Sequence, residues 1–124
     1  MATLVTFSSS KGGCGKTSVC VNLAGALSLR EKTVGQKNSK VLVIDLDTQG
    51  AASHHLAKKF THFTGTIING LEQNISLGRL IHAHSENIHF IPCDMSFASW
   101  SEYGKKDYTK EMRSFLSEVK KRYD

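Results

Sequence analysis

Proline is nearly missing from this chain: Pro92 is the only one in 124 residues. With no proline-rich or repetitive tract, nothing resembles a linker, an internal repeat or a low-complexity segment, and residues 1–124 read as a single domain. Cysteine is scarce too. Cys14, Cys20 and Cys93 are scattered and odd in number, which excludes a spaced metal cage and suits free thiols in a reducing compartment. No apolar run approaches the ~20 residues of a membrane span. A signal peptide is also missing, since a β-prone run begins almost at Met1. These two absences point to the cytoplasm and to no membrane partner. Long charge blocks are missing as well: beyond residue 50 the chain carries eight acidic residues against ten basic ones, so neither half is a basic tail. The net charge of +5 and pI near 9.2 are compatible with an anionic partner such as a nucleotide or DNA without showing one. With 40% hydrophobic and 22% charged residues the chain is globular rather than disordered.

What is present is organised around one loop, Ser10-Lys11-Gly12-Gly13-Cys14-Gly15-Lys16-Thr17. An apolar, β-prone run, Leu4-Val5-Thr6-Phe7, precedes it, and an apolar helical pattern follows from Val19. A strand, a glycine-rich turn and a helix start make a phosphate cradle. Glycines let successive backbone N–H groups turn inward, with no Cβ to hold a phosphate away. The first helical turn adds unpaired N–H groups and the positive end of its dipole. Lys16 then supplies a full charge for the β- and γ-phosphates. Thr17 supplies a hydroxyl for Mg²⁺, an ion that takes few protein ligands. The competing reading is a fortuitous Gly/Lys turn, which the flanking strand and helix disfavour.

Residues 2–8 read as a buried strand. Residues 16–29 read as a helix with Val19, Leu23, Ala26 and Leu27 on one stripe. Residues 31–40 are polar and aperiodic, a loop. Residues 41–47 are continuously apolar up to Asp45 and rich in β-branched side chains, as in a parallel strand buried on both faces. Its carboxylates stand at the C-terminal end, where open α/β sheets bind ligands. Short helices are expected over 51–59, 65–71 and 76–81, a third strand over 87–92, and a helical turn over 96–100. Met112, Phe115, Leu116 and Val119 mark an amphipathic helix over 110–122.

Asp45 and Asp47 share one face of their strand. Taken alone, that is an ordinary capped strand end. The context changes its meaning. Lys11-Gly12-Gly13-Cys14-Gly15-Lys16-Thr17 resembles the deviant P-loop K-G-G-x-G-K-[ST] of the ParA/MinD group of partition and cell-division ATPases. The run Val41–Gly50, with Asp45-Leu46-Asp47-Thr48-Gln49-Gly50, resembles that group's second signature, D-x-D-P-Q-G, with Thr48 in place of proline. That exchange should loosen the turn. Asn87-Ile88-His89-Phe90-Ile91-Pro92 is similar to its third strand. The wording after Asp47 favours the partition branch.

The resemblance implies a P-loop NTPase fold, a mainly parallel sheet flanked by helices. It implies ATP and Mg²⁺ as cofactors, with Lys11, Gly12, Gly13, Cys14, Gly15, Lys16, Thr17 and Ser18 around the nucleotide. Thr17 would hold the metal and Asp45 would sit near it through a water. Asp47 would orient the attacking water. Lys11 would reach across an ATP-dependent homodimer to the partner's phosphates, much as an arginine finger does, so that Lys11, Lys16 and Asp47 form the catalytic set. Non-specific DNA and a ParB-like activator are the partners implied. In the family, a stretch like Lys120–Asp124 precedes the Walker B strand. The chain therefore reads as truncated before that strand, with an unpaired apolar sheet edge and doubtful turnover. The alternatives are a nucleotide-binding regulatory module that pairs with a full-length ATPase, and a cluster-carrying relative, which the cysteines do not favour.

Lesser candidates read more plainly. His54, His55, His82, His84 and His89 lack companions for a tetrahedral zinc site and read as surface histidines. Lys58-Lys59, Lys105-Lys106 and Lys120-Lys121-Arg122 read as solvated faces rather than DNA contacts. Cys14 reads as a small tolerated residue, and Phe97 and Trp100 as core.

Overall fold

A computed structural model describes residues 2–30, 35, 37–57, 63, 65–94 and 107–124. In chain order the elements are α1 (Lys16–Ser28), β1 (Val41–Ile44), α2 (Ala51–Leu56), α3 (Ile67–Glu72), α4 (Leu77–Leu80), β2 (His82–Ala83), β3 (Ile88–Ile91) and α5 (Thr109–Val119). The turn expected over 96–100, Phe97, Trp100, Lys58-Lys59, Lys105-Lys106 and residues 31–34 and 36 of the loop over 31–40 lie outside the described residues.

β1 and β3 pair in parallel, with Val41 opposite Ile88 and Ile44 opposite Ile91. Alternation then sorts their side chains to two cores. Val41, Val43, Ile88 and Phe90 face Ala24 of α1 and Ala52 and Leu56 of α2. Leu42, Ile44 and Ile91 face α3, α4 and α5 through Ile67, Leu71, Leu80 and Val119. Helices thus cover both faces of the sheet, which is why β1 is continuously apolar. Asp107 Oδ1 accepts the Thr109 N–H at 2.9 Å and so starts α5. Met112 and Phe115 of α5 pack on the second core as the periodicity requires.

Several expectations change. β2 joins β3 antiparallel through His82 and Ala83, a two-residue edge too short for any pattern to reveal. The buried side of α1 is Cys20, Val21, Ala24 and Ser28, while Val19 is 54% exposed. Apolar residues spread over all but the Ser18, Asn22 and Gly25 side of this helix, so spacing alone does not choose its buried stripe. Residues 2–8 form no ladder, and Leu4 and Val5 are more than half exposed. A strand exists only where its backbone groups find partners. Here Thr3 N–H donates to Asp124 O at 2.6 Å, and Asp124 N–H donates to Lys40 O at 3.0 Å, but no ladder forms.

Three histidines are half-buried rather than fully exposed. His84 Nδ1 lies 2.7 Å from Leu56 O. His89 Nδ1 lies 2.8 Å from the Tyr123 hydroxyl. His82 packs at a tilt against Phe90 and meets the edge of Phe63.

Gly50 is the position where the fold depends on glycine. Its φ is +61°, and a Cβ there would stand 2.7 Å from Cys93 O. Strain and clash add, so Gly50→Ala is expected to cost about 2 kcal/mol. Urea titration checks this through the unfolding midpoint, with Gly25→Ala, which meets open space in α1, expected to be neutral or stabilising.

Candidate phosphate-binding site

The loop before α1 is built for an anion. Gly13 and Gly15 take φ of +69° and +89°, so two of its glycines serve conformations that L residues rarely adopt. Gly15 is the N-cap of α1, and no side chain caps the helix or places an acid in its first turn. The N–H groups of Lys16, Thr17 and Ser18 precede the first intrahelical bond, Val19 N–H to Gly15 O at 2.9 Å. A thirteen-residue helix thus presents its positive end uncapped beneath a glycine turn.

The Lys16 ammonium folds back over this turn, donating to Lys11 O at 3.0 Å and lying 3.7 Å from Cys14 Sγ. Lys11, Gly12, Gly13 and Ser18 are exposed, and the Lys11 N–H donates to Ser9 Oγ at 3.1 Å. A cavity of about 290 Å³ adjoins the loop, lined by Thr6, Phe7, Ser8, Ser9, Cys14, Gly15, Lys16 and Val19. It gathers Lys16 and the loop but not Lys11, Thr17, Asp45 or Asp47.

The Ser9 hydroxyl first, then Lys16, hold the Cys14 thiol below the usual 9.0. Cys93 is the opposite case: burial first, then the Asp45 charge, push its thiol up to about 12. Native-state alkylation with iodoacetamide should therefore modify Cys14 first, with a rate midpoint below pH 9.0, and leave Cys93 untouched. Peptide mapping against time and pH checks the order.

Asp45 and Asp47 follow β1 at the same end of the sheet, and they differ sharply. Asp45 is buried. Its Oδ1 accepts the Asp47 N–H at 2.9 Å, and its Oδ2 accepts both the N–H and the hydroxyl of Ser53, at 2.9 and 2.5 Å. Asp47 is exposed, and its Oδ1 accepts the Gln49 N–H at 3.0 Å. The Gly50 N–H closes on Asp47 O at 2.8 Å. The turn that carries Thr48 in place of proline is closed by hydrogen bonds to Asp47. Asp45 also faces α1: after burial, its charge is what raises the Cys20 thiol, one turn beyond Thr17.

Thr17 and Asp45 supply oxygen donors from these two elements. Among the described residues no three His, Cys, Asp or Glu side chains group as a metal cage. A sparse, all-oxygen set fits Mg²⁺, which keeps most of its waters. Three donors already occupy Asp45, out of about four acceptor sites on a carboxylate, which leaves it room for a bridging water. When bound, the ion would supply positive charge to neutralise the phosphates.

Spacing alone does not single out Ser53 or Cys93, which anchor this turn with Gly50. The available signal for Ser53 is its place in the run Gln49-Gly50-Ala51-Ala52-Ser53, which carries the resemblance to the partition branch.

A family model described as an AAA domain matches residues 2–124. The chain is 30% identical, over 126 residues, to the chromosome-partitioning ATPase Soj of Treponema pallidum, covering 100% of this chain and 46% of that protein. It is 34% identical, over 79 residues, to the chromosome partitioning protein ParA of Myxococcus xanthus, covering 64% of this chain and 25% of that one. Among solved structures, a plasmid partition protein from Borrelia burgdorferi superposes with a TM-score of 0.78 at 28% identity, over 95% of this chain and 51% of the other. Another such protein from Borrelia burgdorferi, bound to AMPPNP, superposes with a TM-score of 0.68 at 30% identity, over 86% and 44%. The chain spans between a quarter and about half the length of these proteins.

Proposed function

Since the chain belongs to the AAA-domain family, and within it to the ParA-type P-loop ATPases, we propose that it binds Mg-ATP at residues 11–18 and serves in plasmid or chromosome partition. The observation that carries this reading is the uncapped N-terminus of α1 beneath Gly13, Gly15 and Lys16. The AMPPNP held by the Borrelia burgdorferi relative supports it.

The roles divide by position. Backbone N–H groups from Gly12 to Ser18 wrap the phosphates, and Lys16 leaves its contact with Lys11 O to meet them. Thr17 and Asp45 hold the metal, the latter through a water. Asp47 stands exposed at the end of β1, free to orient the attacking water, and its backbone is pinned by Asp45. Phosphoryl transfer asks for positioning and neutralised charge more than for covalent chemistry. Lys11 is exposed and supplies its charge to a second copy across a nucleotide sandwich. DNA and a ParB-like activator complete the reading.

Sedimentation tests the pairing. With Mg-AMPPNP the wild-type chain should dimerise and Lys11→Ala should stay monomeric, with binding of the nucleotide itself reduced only severalfold. Turnover lost in Lys16→Ala supports a hydrolase. Tight binding with no turnover supports a regulatory module that pairs with a full-length ATPase.

A further inference from the structure

Ser53 has no part in the roles above, yet it is the most fully engaged polar side chain near the site. It is 0% exposed. Its N–H and its hydroxyl both donate to Asp45 Oδ2, at 2.9 and 2.5 Å. The same hydroxyl accepts the Cys93 N–H at 3.0 Å. Asp45 Oδ1 takes the Asp47 N–H, and Asp47 in turn closes on Gln49 and Gly50. The hydrogen bonds therefore run unbroken from the end of β3, through Ser53 and Asp45, to the turn that carries Asp47.

Packing does not require this arrangement. α2 begins Ala51-Ala52, and another alanine would fill the same space without a hydroxyl to satisfy. A buried polar group is costly unless paired, and here every partner is provided. Nor is a helix cap sufficient reason. The N-cap Gly50 has no side chain, and the Asp45–Ser53 N–H bond alone would cap α2. The hydroxyl adds a second bond to the same carboxylate oxygen and ties it to another strand, which holds the carboxylate in one orientation.

We propose that Ser53 is a positioning residue for the magnesium–nucleotide site, fixing the Asp45 carboxylate and, through it, the Asp47 backbone. This rests on the reading that residues 11–18 bind Mg-nucleotide. Groups that orient a metal's partners in this way typically set its affinity.

The test is the gain in ADP affinity on adding Mg²⁺, taken as the ratio of calorimetric constants with Mg²⁺ and with chelator. Ser53→Ala should cut that gain on the order of tenfold, leaving metal-free ADP affinity within about twofold. Ser53→Thr, which keeps the hydroxyl, should restore the gain. A Ser53→Ala protein that melts earlier but keeps the full gain would overturn the proposal, since a purely structural serine behaves so. Should that variant not fold, hydrogen exchange on the wild-type chain decides. Mg-ADP should slow exchange of the Asp47 and Cys93 amides beyond ADP alone, and unchanged rates would overturn the proposal. A wild-type chain that binds ADP with no gain from Mg²⁺ sinks this inference alone. One that binds no nucleotide sinks the phosphate-site reading and this inference with it.

Discussion

Lys16→Ala is expected to lower Mg-ATP affinity about a hundredfold, or about 2.7 kcal/mol, with no comparable loss of stability. Among the described residues, the lysine carries the only full positive charge lining the cavity beside the loop. In the free chain its ammonium contacts Lys11 O and Cys14 Sγ, both within its own turn. Removing it therefore disturbs no contact between elements. The phosphates lose a charge-assisted bond to a group held at an uncapped helix start, where backbone dipole and lysine charge act together. Calorimetry reads the affinity and thermal melting reads the fold. An affinity within threefold of wild type would show that the loop is not the phosphate site. Loss of binding together with a collapse in Tm would show that Lys16 is structural instead.

Asp45→Ala should be the most destabilising polar substitution at this end of the sheet, by about 3 kcal/mol. Asp45 is 5% exposed and accepts from three donors on two segments. Its loss leaves the Asp47 N–H, the Ser53 N–H and the Ser53 hydroxyl without that acceptor, two of them at a fully buried residue. The two orphaned donors on buried Ser53 carry the larger desolvation cost. For a chain of this size that corresponds to a fall in Tm on the order of 10 °C. Asp47→Ala is the control. Its carboxylate is exposed and holds the Gln49 N–H, so about 0.5–1 kcal/mol is expected. Equal losses for the two aspartates would contradict the burial difference on which the argument stands.

How far the site was legible depends on how local each feature is. The loop from Lys11 to Thr17 could be read because a glycine turn before a helix is a short-range device: three glycines and a lysine carry the geometry themselves. β1 was legible for a different reason. Burial on both faces forces Val41 to Ile44 to be apolar without alternation. Ser53 was hidden because its meaning lies in Asp45, eight residues away, and in Cys93, forty residues away. The buried side of α1 was hidden because apolar residues spread over all but the Ser18, Asn22 and Gly25 side, and only the sheet beneath it chooses Ala24 over Val19. The expected strand over residues 2–8 shows the converse error. Leu4-Val5-Thr6-Phe7 has the composition of a strand, but a ladder is a property of two segments. No described segment forms a ladder with it, and Leu4 and Val5 are more than half exposed.

By itself, then, the sequence determined the glycine-rich loop, the helix it opens, and the two-faced strand followed by Asp45 and Asp47, since each is encoded within a few neighbouring residues. Only the tertiary structure decided which aspartate is buried and which is free, which serine holds the buried one, and which strand-like run stays unpaired. Those outcomes depend on groups far apart in the chain competing for the same hydrogen bonds and the same dry space, and no local pattern records who wins.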